Sequence, residues 1–322
     1  MPNRNASANS SIRVTTVIPV YNGEATIRET LDSALAQEFD GQEIIVVNDG
    51  STDSTPQILS SYGDRIKVVS QPNRGPALAR NIGARSGTGE YVAFLDGDDL
   101  WVPHKLTRCV EALDRNPAAV LAFSAFSRIG ASGETLTPSH LDTAASGRHL
   151  SLDDLLNVRA GVLPSSLVIR RTIFETFGGF CEDLRAFEDW YFSLRAREHG
   201  EFFCLRDALV QYRTIGDDVA AASKYVRFFP DAETFVRLVR RRYGRRKSLL
   251  RRDFLRPFAS AFVIVGLQHL DAGRRVDALR CFATALRCWP AYPLRVLGTE
   301  KLLSWRQARR FFRFMHLNGH YR

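Results

Sequence analysis

Within about its first hundred residues the chain repeats one pattern four times: a short apolar, β-rich run, a polar turn, then a helical segment or the next turn. Residues 14–20 (VTTVIPV) read as a buried strand that Tyr21-Asn22-Gly23 breaks. Ile27, Leu31 and Leu35 follow at helical spacing. Residues 43–48 (EIIVVN) are the second strand, and Thr55-Pro56 reads as an N-cap followed by proline at the first helical position. Residues 65–70 are a third strand, Gly75-Pro76 opens a helix through Ala84, and residues 91–95 are a fourth strand. Such alternation predicts an α/β fold with a mostly parallel sheet and helices on both faces. Ligands of such sheets bind at the carboxyl ends of the strands. The places to look are therefore Tyr21-Asn22, Asp49 to Asp53 and Asp96 to Asp99.

Further on the pattern is mixed. Residues 120–127 and 166–169 read as strands, 129–137 as a loop or hairpin, and 208–213 as a last strand. Ser151-Leu152-Asp153-Asp154 caps a short helix. Residues 172–177 form another that Gly178-Gly179 ends, and 188–198 are helical. After residue 223 strand signals fade and Arg-rich helical spacing takes over. Residues 1–12 are thus a polar tail, 13–223 one α/β domain, and 224–322 a basic α-helical region. Ala278, Phe282, Ala285 and Pro290 are spaced like one tetratricopeptide unit, but an ordinary helical hairpin gives the same spacing.

The charge divides at the same place. Residues 224–322 carry 23 Lys/Arg and 6 Asp/Glu, whereas residues 1–223 carry 21 and 29. An acidic body with a basic extension points to an anionic membrane surface, an acidic partner or nucleic acid; a solvated basic face is the plain alternative. The basic clusters Arg240-Arg241-Arg242, Arg245-Arg246-Lys247 and Arg251-Arg252 interleave with Phe235, Leu238, Val239, Leu249, Leu250 and Phe254. That pattern suits an interfacial helix on an anionic membrane, while nucleic acid lacks a motif to support it. Five cysteines without CxxC spacing argue against a zinc ribbon and a disulfide framework. The polar start and the absence of a long apolar run point to a cytoplasmic chain, peripheral on the inner face of the membrane.

Three carboxylates within Asp96-Gly97-Asp98-Asp99 repel one another unless a positive charge sits among them. A divalent cation with a phosphate partner supplies that charge, since Mg²⁺ and Mn²⁺ prefer oxygen ligands. Acidic turns of this kind are also common and solvated. Asp49-Gly50-Ser51-Thr52-Asp53 offers acceptors to a base or ribose, or simply caps the next helix. Arg80 reaches an anionic ligand or lies exposed. His104 reads as a surface residue at a helix start. No phosphate-cradling glycine loop is present, which counts against an ATPase and a nicotinamide dehydrogenase.

In order along the chain stand Val17-Ile18-Pro19-Val20-Tyr21-Asn22, Val46-Val47-Asn48-Asp49-Gly50-Ser51-Thr52-Asp53, Gly75-Pro76-Ala77-Leu78-Ala79-Arg80-Asn81 and Phe94-Leu95-Asp96-Gly97-Asp98-Asp99. Later come Pro164-Ser165-Ser166-Leu167-Val168-Ile169-Arg170-Arg171, Phe177-Gly178-Gly179-Phe180 and Phe187-Glu188-Asp189-Trp190. The series closely resembles the family 2 glycosyltransferases of GT-A fold. The resemblance implies an inverting, non-processive, metal-dependent transfer of a sugar from a nucleoside diphosphate, usually a UDP-sugar. The acceptor would be a hydroxyl of a saccharide or lipid-linked molecule, in cell-surface polysaccharide or glycoconjugate synthesis. By the same resemblance Pro19, Tyr21, Asn22 and Glu24 line the donor nucleotide, Asp49 holds the base and Arg80 lies against the nucleotide. Asp96 with Gly97 faces the ribose, Asp98 binds Mn²⁺ or Mg²⁺ with Asp99 in support, and Asp189 is the general base.

The chain departs from the family in two places. Tyr212-Arg213 is followed by Thr214-Ile215-Gly216-Asp217-Asp218, without the histidine many relatives carry, and Asp217 is the nearest substitute. The Gln-x-x-Arg-Trp element of processive members is absent. The alternatives are a sugar nucleotidyltransferase, and a non-catalytic interaction protein with a degenerate transferase body and basic docking helices.

Overall fold

In the computed structural model the described residues are 11–140, 152, 155, 162–214, 229–244, 262, 266, 269 and 273–288. The strands are β1 (Val14–Val20), β2 (Gln42–Asn48), β3 (Lys67–Ser70), β4 (Tyr91–Phe94), β5 (Leu100–Trp101), β6 (Ala119–Ile129), β7 (Thr135–His140), β8 (Leu167–Arg170) and β9 (Glu201–Arg213). The helices are α1 (Ile27–Leu35), α2 (Thr55–Ser60), α3 (Pro76–Arg85), α4 (Lys105–Arg115), α5 (Arg171–Phe177), α6 (Glu188–Arg197), α7 (Phe229–Tyr243) and α8 (Arg275–Cys288). These nine strands join one sheet in the order β3-β2-β1-β4-β8-β6-β9-β5, with β7 paired to β6. The first four run parallel, β8 runs against both its neighbours, and β6 and β9 are parallel again. Every residue of β1 and β4 is buried, as parallel strands covered on both faces should be.

Pro19 sits inside a central strand, where a missing N–H usually breaks a ladder. Here β4 stops pairing at Val17↔Phe94, while β1 continues beside β2 to Val20↔Asn48. Val17 turns its carbonyl toward Leu95 and Val20 turns its own toward Asp49, so Pro19 faces the side β4 has left. No ladder bond is lost. The chain after β4 instead folds close over Pro19. A Cβ on Gly97 would stand 3.2 Å from the Pro19 carbonyl oxygen and 3.3 Å from Val20.

Three expectations shift. The N-cap of α2 is Ser54, not Thr55, and Pro56 falls one position later than expected. Thr55 serves instead as an anchor for the loop after β1, its hydroxyl accepting the Gly23 N–H at 2.9 Å. The last strand starts at Glu201 rather than 208, because it pairs with the whole length of β6. The third difference concerns the basic region. Phe235 lies 4.8 Å from the Trp190 ring and 5.4 Å from Phe187. Phe235, Val236, Val239 and Tyr243 are buried in the core that holds Phe94 and Phe192, and Leu238 packs against it. The apolar side of α7 therefore faces protein and cannot lie on a lipid surface. Leu249, Leu250, Phe254, Pro290, Asp217 and residues 1–10 fall outside the described residues, as does most of the segment around Ser151. In α8, Ala278 and Ala285 are buried and Gly273 precedes the helix at φ +72°. Cys109, Cys181, Cys204 and Cys281 are free thiols. Among the described residues no helix is long and apolar enough to cross a membrane.

Candidate active site

The carboxyl ends of β1, β2 and β4 are held together by their own polar side chains. Asn22, in the left-handed region at φ +50°, donates its N–H to Ser51 Oγ and accepts the Thr52 N–H on Oδ1 at 2.8 Å. Glu24 donates its N–H to Asp53 and accepts the Ser54 N–H on Oε2. These reciprocal bonds lace the loop after β1 to the loop after β2. The side chains of Asn22 and Glu24 thus tie the two strand-end loops together from within. Tyr21 stands beside them, 42% exposed.

Asp49 is buried and its carboxylate accepts three hydrogen bonds. Oδ1 takes the Gln71 amide at 2.6 Å and the Arg74 N–H at 2.9 Å; Oδ2 takes the Gly75 N–H at 2.8 Å. Gly75, at φ +93°, is the N-cap of α3, a conformation that favours glycine. One lone pair of Oδ2 remains by count for a further donor. Asp49 therefore does two jobs in one place: it closes the β3–α3 loop and presents an acceptor at the strand end.

The acidic turn after β4 separates into three different environments. Asp96 is buried and accepts Arg80 Nη2 at 2.5 Å; Arg80 Nη1 donates to Glu188 Oε1 at 2.8 Å. Arg80 itself is buried, with its guanidinium 5.2 Å from the Phe180 ring centroid. Burial disfavours its charge, but the Asp96 and Glu188 carboxylates outweigh this and hold the guanidinium protonated. Asp99 is fully buried: it accepts the Ser165 hydroxyl at 2.6 Å and the Arg213 N–H at 3.0 Å. Ser165 Oγ also accepts the Asp96 N–H. The Arg213 guanidinium donates to the carbonyls of Asp98, Gly130 and Ala131 and to the Glu29 carboxylate. Asp99 and Arg213 are therefore the framework of the turn, and Asp98 is its half-buried member.

Among the described residues no group of three or more His, Cys, Asp or Glu is arranged to hold a metal ion. The turn is not a closed protein cage. Its donor chemistry still fits a magnesium or manganese ion, which takes one or two carboxylates and fills its remaining positions with water and substrate phosphates. Of the three aspartates in the turn, Asp98 is the one that is not buried.

Glu188 and Asp189 open α6, directly after Phe187 at φ +65°. Both are buried. Asp189 Oδ1 accepts the Trp190 N–H at 2.7 Å, and burial together with the negative Asp189 pushes the Glu188 carboxyl above the usual range. Arg80 thus brings together Asp96 and the Glu188-Asp189 pair, which lie more than ninety residues apart in sequence. The sequence singled out Pro19, Tyr21, Asn22, Glu24, Asp49, Arg80, Asp96, Gly97, Asp98 and Asp189, and these lie at the strand ends, on α3 or at the start of α6. Arg80, expected against a nucleotide, is engaged by two carboxylates. His104 is the exposed N-cap of α4. Sequence reasoning gave no role to Ser165, Arg213 or Gln71. The available signal was a polar residue at the end of an apolar strand or turn.

The family model described as glycosyl transferase family 2 matches residues 15–178, just over half of the chain. An uncharacterized glycosyltransferase of Rickettsia typhi, RT0329, is 34% identical over 186 residues, 56% of this chain and 58% of the relative. EpsJ of Bacillus subtilis, also an uncharacterized glycosyltransferase, is 31% identical over 212 residues, 62% of this chain and 60% of the relative. A Rickettsia felis relative is 34% identical over 188 residues, but only 31% of its length is covered. The chain thus spans less than two thirds of these relatives. The crystal structure of S. aureus TarS 1-349 in complex with UDP-GlcNAc matches with a TM-score of 0.55 at 17% identity, over 88% of this chain and 92% of that chain. That likeness is one of fold, and it bears out the expected GT-A-type α/β body; the sheet itself is mixed rather than mostly parallel, because β5, β7 and β8 run against their neighbours.

Proposed function

The chain belongs to glycosyl transferase family 2, and on that premise we propose that it transfers a sugar, with inversion, from a nucleoside diphosphate to a hydroxyl of a saccharide or lipid-linked acceptor. The observation that carries this reading is the buried Asp96–Arg80–Glu188 chain, which seats the start of α6 against the strand-end turn. In this reading Asp49 takes the base through its remaining acceptor position, and Asp96 faces the ribose. UDP is the favoured diphosphate, supported by the UDP and UDP-GlcNAc complexes of TarS. Asp98 would hold a divalent cation, which when bound neutralises charge on the diphosphate as it leaves.

The acceptor oxygen attacks the anomeric carbon from the face opposite the diphosphate. The new C–O bond forms as the bond to the diphosphate oxygen breaks, and the hydroxyl proton passes to an Asp189 carboxylate oxygen. Such a base needs to stand about 2.6–3.2 Å from the hydroxyl. The lacing of Asn22 and Glu24 keeps the two strand-end loops in place while donor and acceptor are held, which lowers the entropy lost on reaching the reactive geometry.

A thermal-shift and calorimetric screen of UDP, GDP, CDP and dTDP, with and without Mn²⁺, on wild type and Asp98→Ala tests this reading. One diphosphate should stabilise the wild type in a metal-dependent way, and Asp98→Ala should lose that stabilisation while unfolding at nearly the same temperature without ligand. Silence of the wild type toward all four would sink the reading.

A further inference from the structure

Glu188 is an unfavourable residue for a core. It is 2% exposed, one oxygen meets Arg80, and among the described residues its other oxygen, Oε2, has no hydrogen-bond partner. A second carboxylate, Asp189, is its chain neighbour and disfavours its charge. A buried acid with an unsatisfied oxygen costs free energy that an apolar residue of similar volume would not. The backbone adds to the cost, since Phe187, immediately before it, holds a left-handed conformation that a bulky side chain adopts only at a penalty. Packing alone gives no reason for an acid at this position.

Its single strong contact indicates what it does. Arg80 projects from α3 between two elements that it does not belong to, the turn after β4 and the start of α6. Phe180 covers one face of the guanidinium, and the two terminal nitrogens are directed to Glu188 and to Asp96. Glu188 therefore fixes the direction in which Arg80 presents its second nitrogen to Asp96. We propose that Glu188 is a positioning residue for the donor: it orients Arg80, and through Arg80 it holds the Asp96 carboxylate in register with the start of α6. This deepens the proposed function and rests on it, because Asp96 is there the residue that meets the ribose. The strap makes the donor side of the cleft and the helix that carries Asp189 one unit.

The experiment uses the full chain, with UDP and Mn²⁺ as the probe and calorimetry as the readout. Glu188→Ala should weaken UDP about tenfold or more, the effect of losing about 1.4 kcal/mol of binding. Glu188→Gln, which keeps an oxygen for Arg80 Nη1, should stay within about threefold of wild type. Arg80→Met should weaken UDP as Glu188→Ala does, and the double variant Arg80→Met/Glu188→Ala should lose no more than Arg80→Met alone, because both changes break one chain. Equal losses in Glu188→Ala and Glu188→Gln, wild-type affinity in Glu188→Ala, or additive losses in the double variant would each overturn the proposal. In those cases wild type still binds UDP and the proposed function stands. A wild type that binds none of the four diphosphates would take both down together.

Discussion

Lys105 gives the sharpest test of the physical reading, because it is a buried cation with no carboxylate paired to it among the described residues. It is fully buried at the first position of α4, and its Nζ has no hydrogen-bond partner there. Its one favourable contact is the face of Trp101, with Nζ 3.8 Å from the ring centroid. Cys109, one turn further on, is a buried thiol whose own ionisation burial pushes up, so it offers no negative charge in the neutral range. Burial lowers the lysine pKa from 10.5 to about 8. At about 1.36 kcal/mol per pKa unit, that is a penalty of about 3 kcal/mol on the charged form. The Trp101 face returns about 1–2 kcal/mol of it. Lys105→Met keeps an unbranched apolar stem and removes the charge, so it should stabilise the protein by about 1–2 kcal/mol at pH 7. For a domain of this size that raises Tm by about 2–4 °C per kcal/mol. The pH dependence has a definite sign. Between about 8 and 10.5 the folded lysine has lost its proton while the unfolded one retains it, so wild-type stability rises with pH across that window. Below about 8 the penalty is complete and constant. Urea unfolding of both proteins from about pH 7 to 10 checks this, and the two should converge as pH rises. A variant less stable than wild type at the low end of that range, or a gap that does not close toward its high end, would show that burial of the Lys105 charge carries no such penalty.

Two further outcomes follow from the packing of the site. Phe235→Ala removes a ring set against Trp190 and Phe187, and should cost about 3–5 kcal/mol in urea unfolding. A loss below about 1 kcal/mol would show that α7 is not part of the core. Ser165→Ala strips Asp99 of a 2.6 Å donor and Asp96 N–H of its acceptor. It should cost about 1–3 kcal/mol of stability and weaken diphosphate binding with it, whereas unchanged binding in a destabilised variant would place Ser165 outside the site.

How far the sequence could be read depended on the kind of interaction. The strands that carry the cleft were legible because β-branched runs and polar turns are local signals, and 14–20 came out to the residue. Arg80 was legible as a charged residue in the site but not as to its partners. Its carboxylates come from Asp96, sixteen residues on, and from Glu188, 108 residues on, and no periodicity reports a contact at such separations. The interfacial reading of the 224–322 region failed at α7 for a related reason. Alternating basic and apolar residues mark a helix with one apolar side; they do not say whether lipid or Trp190 covers it.

The same limit explains why the acidic turn after β4 reads as one charge cluster. In sequence, Asp96, Asp98 and Asp99 look alike, and their mutual repulsion calls for a cation among them. In the structure, the protein's own donors already answer part of that demand: Arg80 for Asp96, Ser165 and the Arg213 backbone for Asp99. The turn therefore needs less positive charge from outside than its composition suggests. A carboxylate committed to the framework holds the turn rigid, so that its neighbour meets the ligand already ordered. Gly97, between Asp96 and Asp98, leaves the turn close against β1, since a Cβ there would crowd the Pro19 carbonyl oxygen at 3.2 Å and Val20 at 3.3 Å.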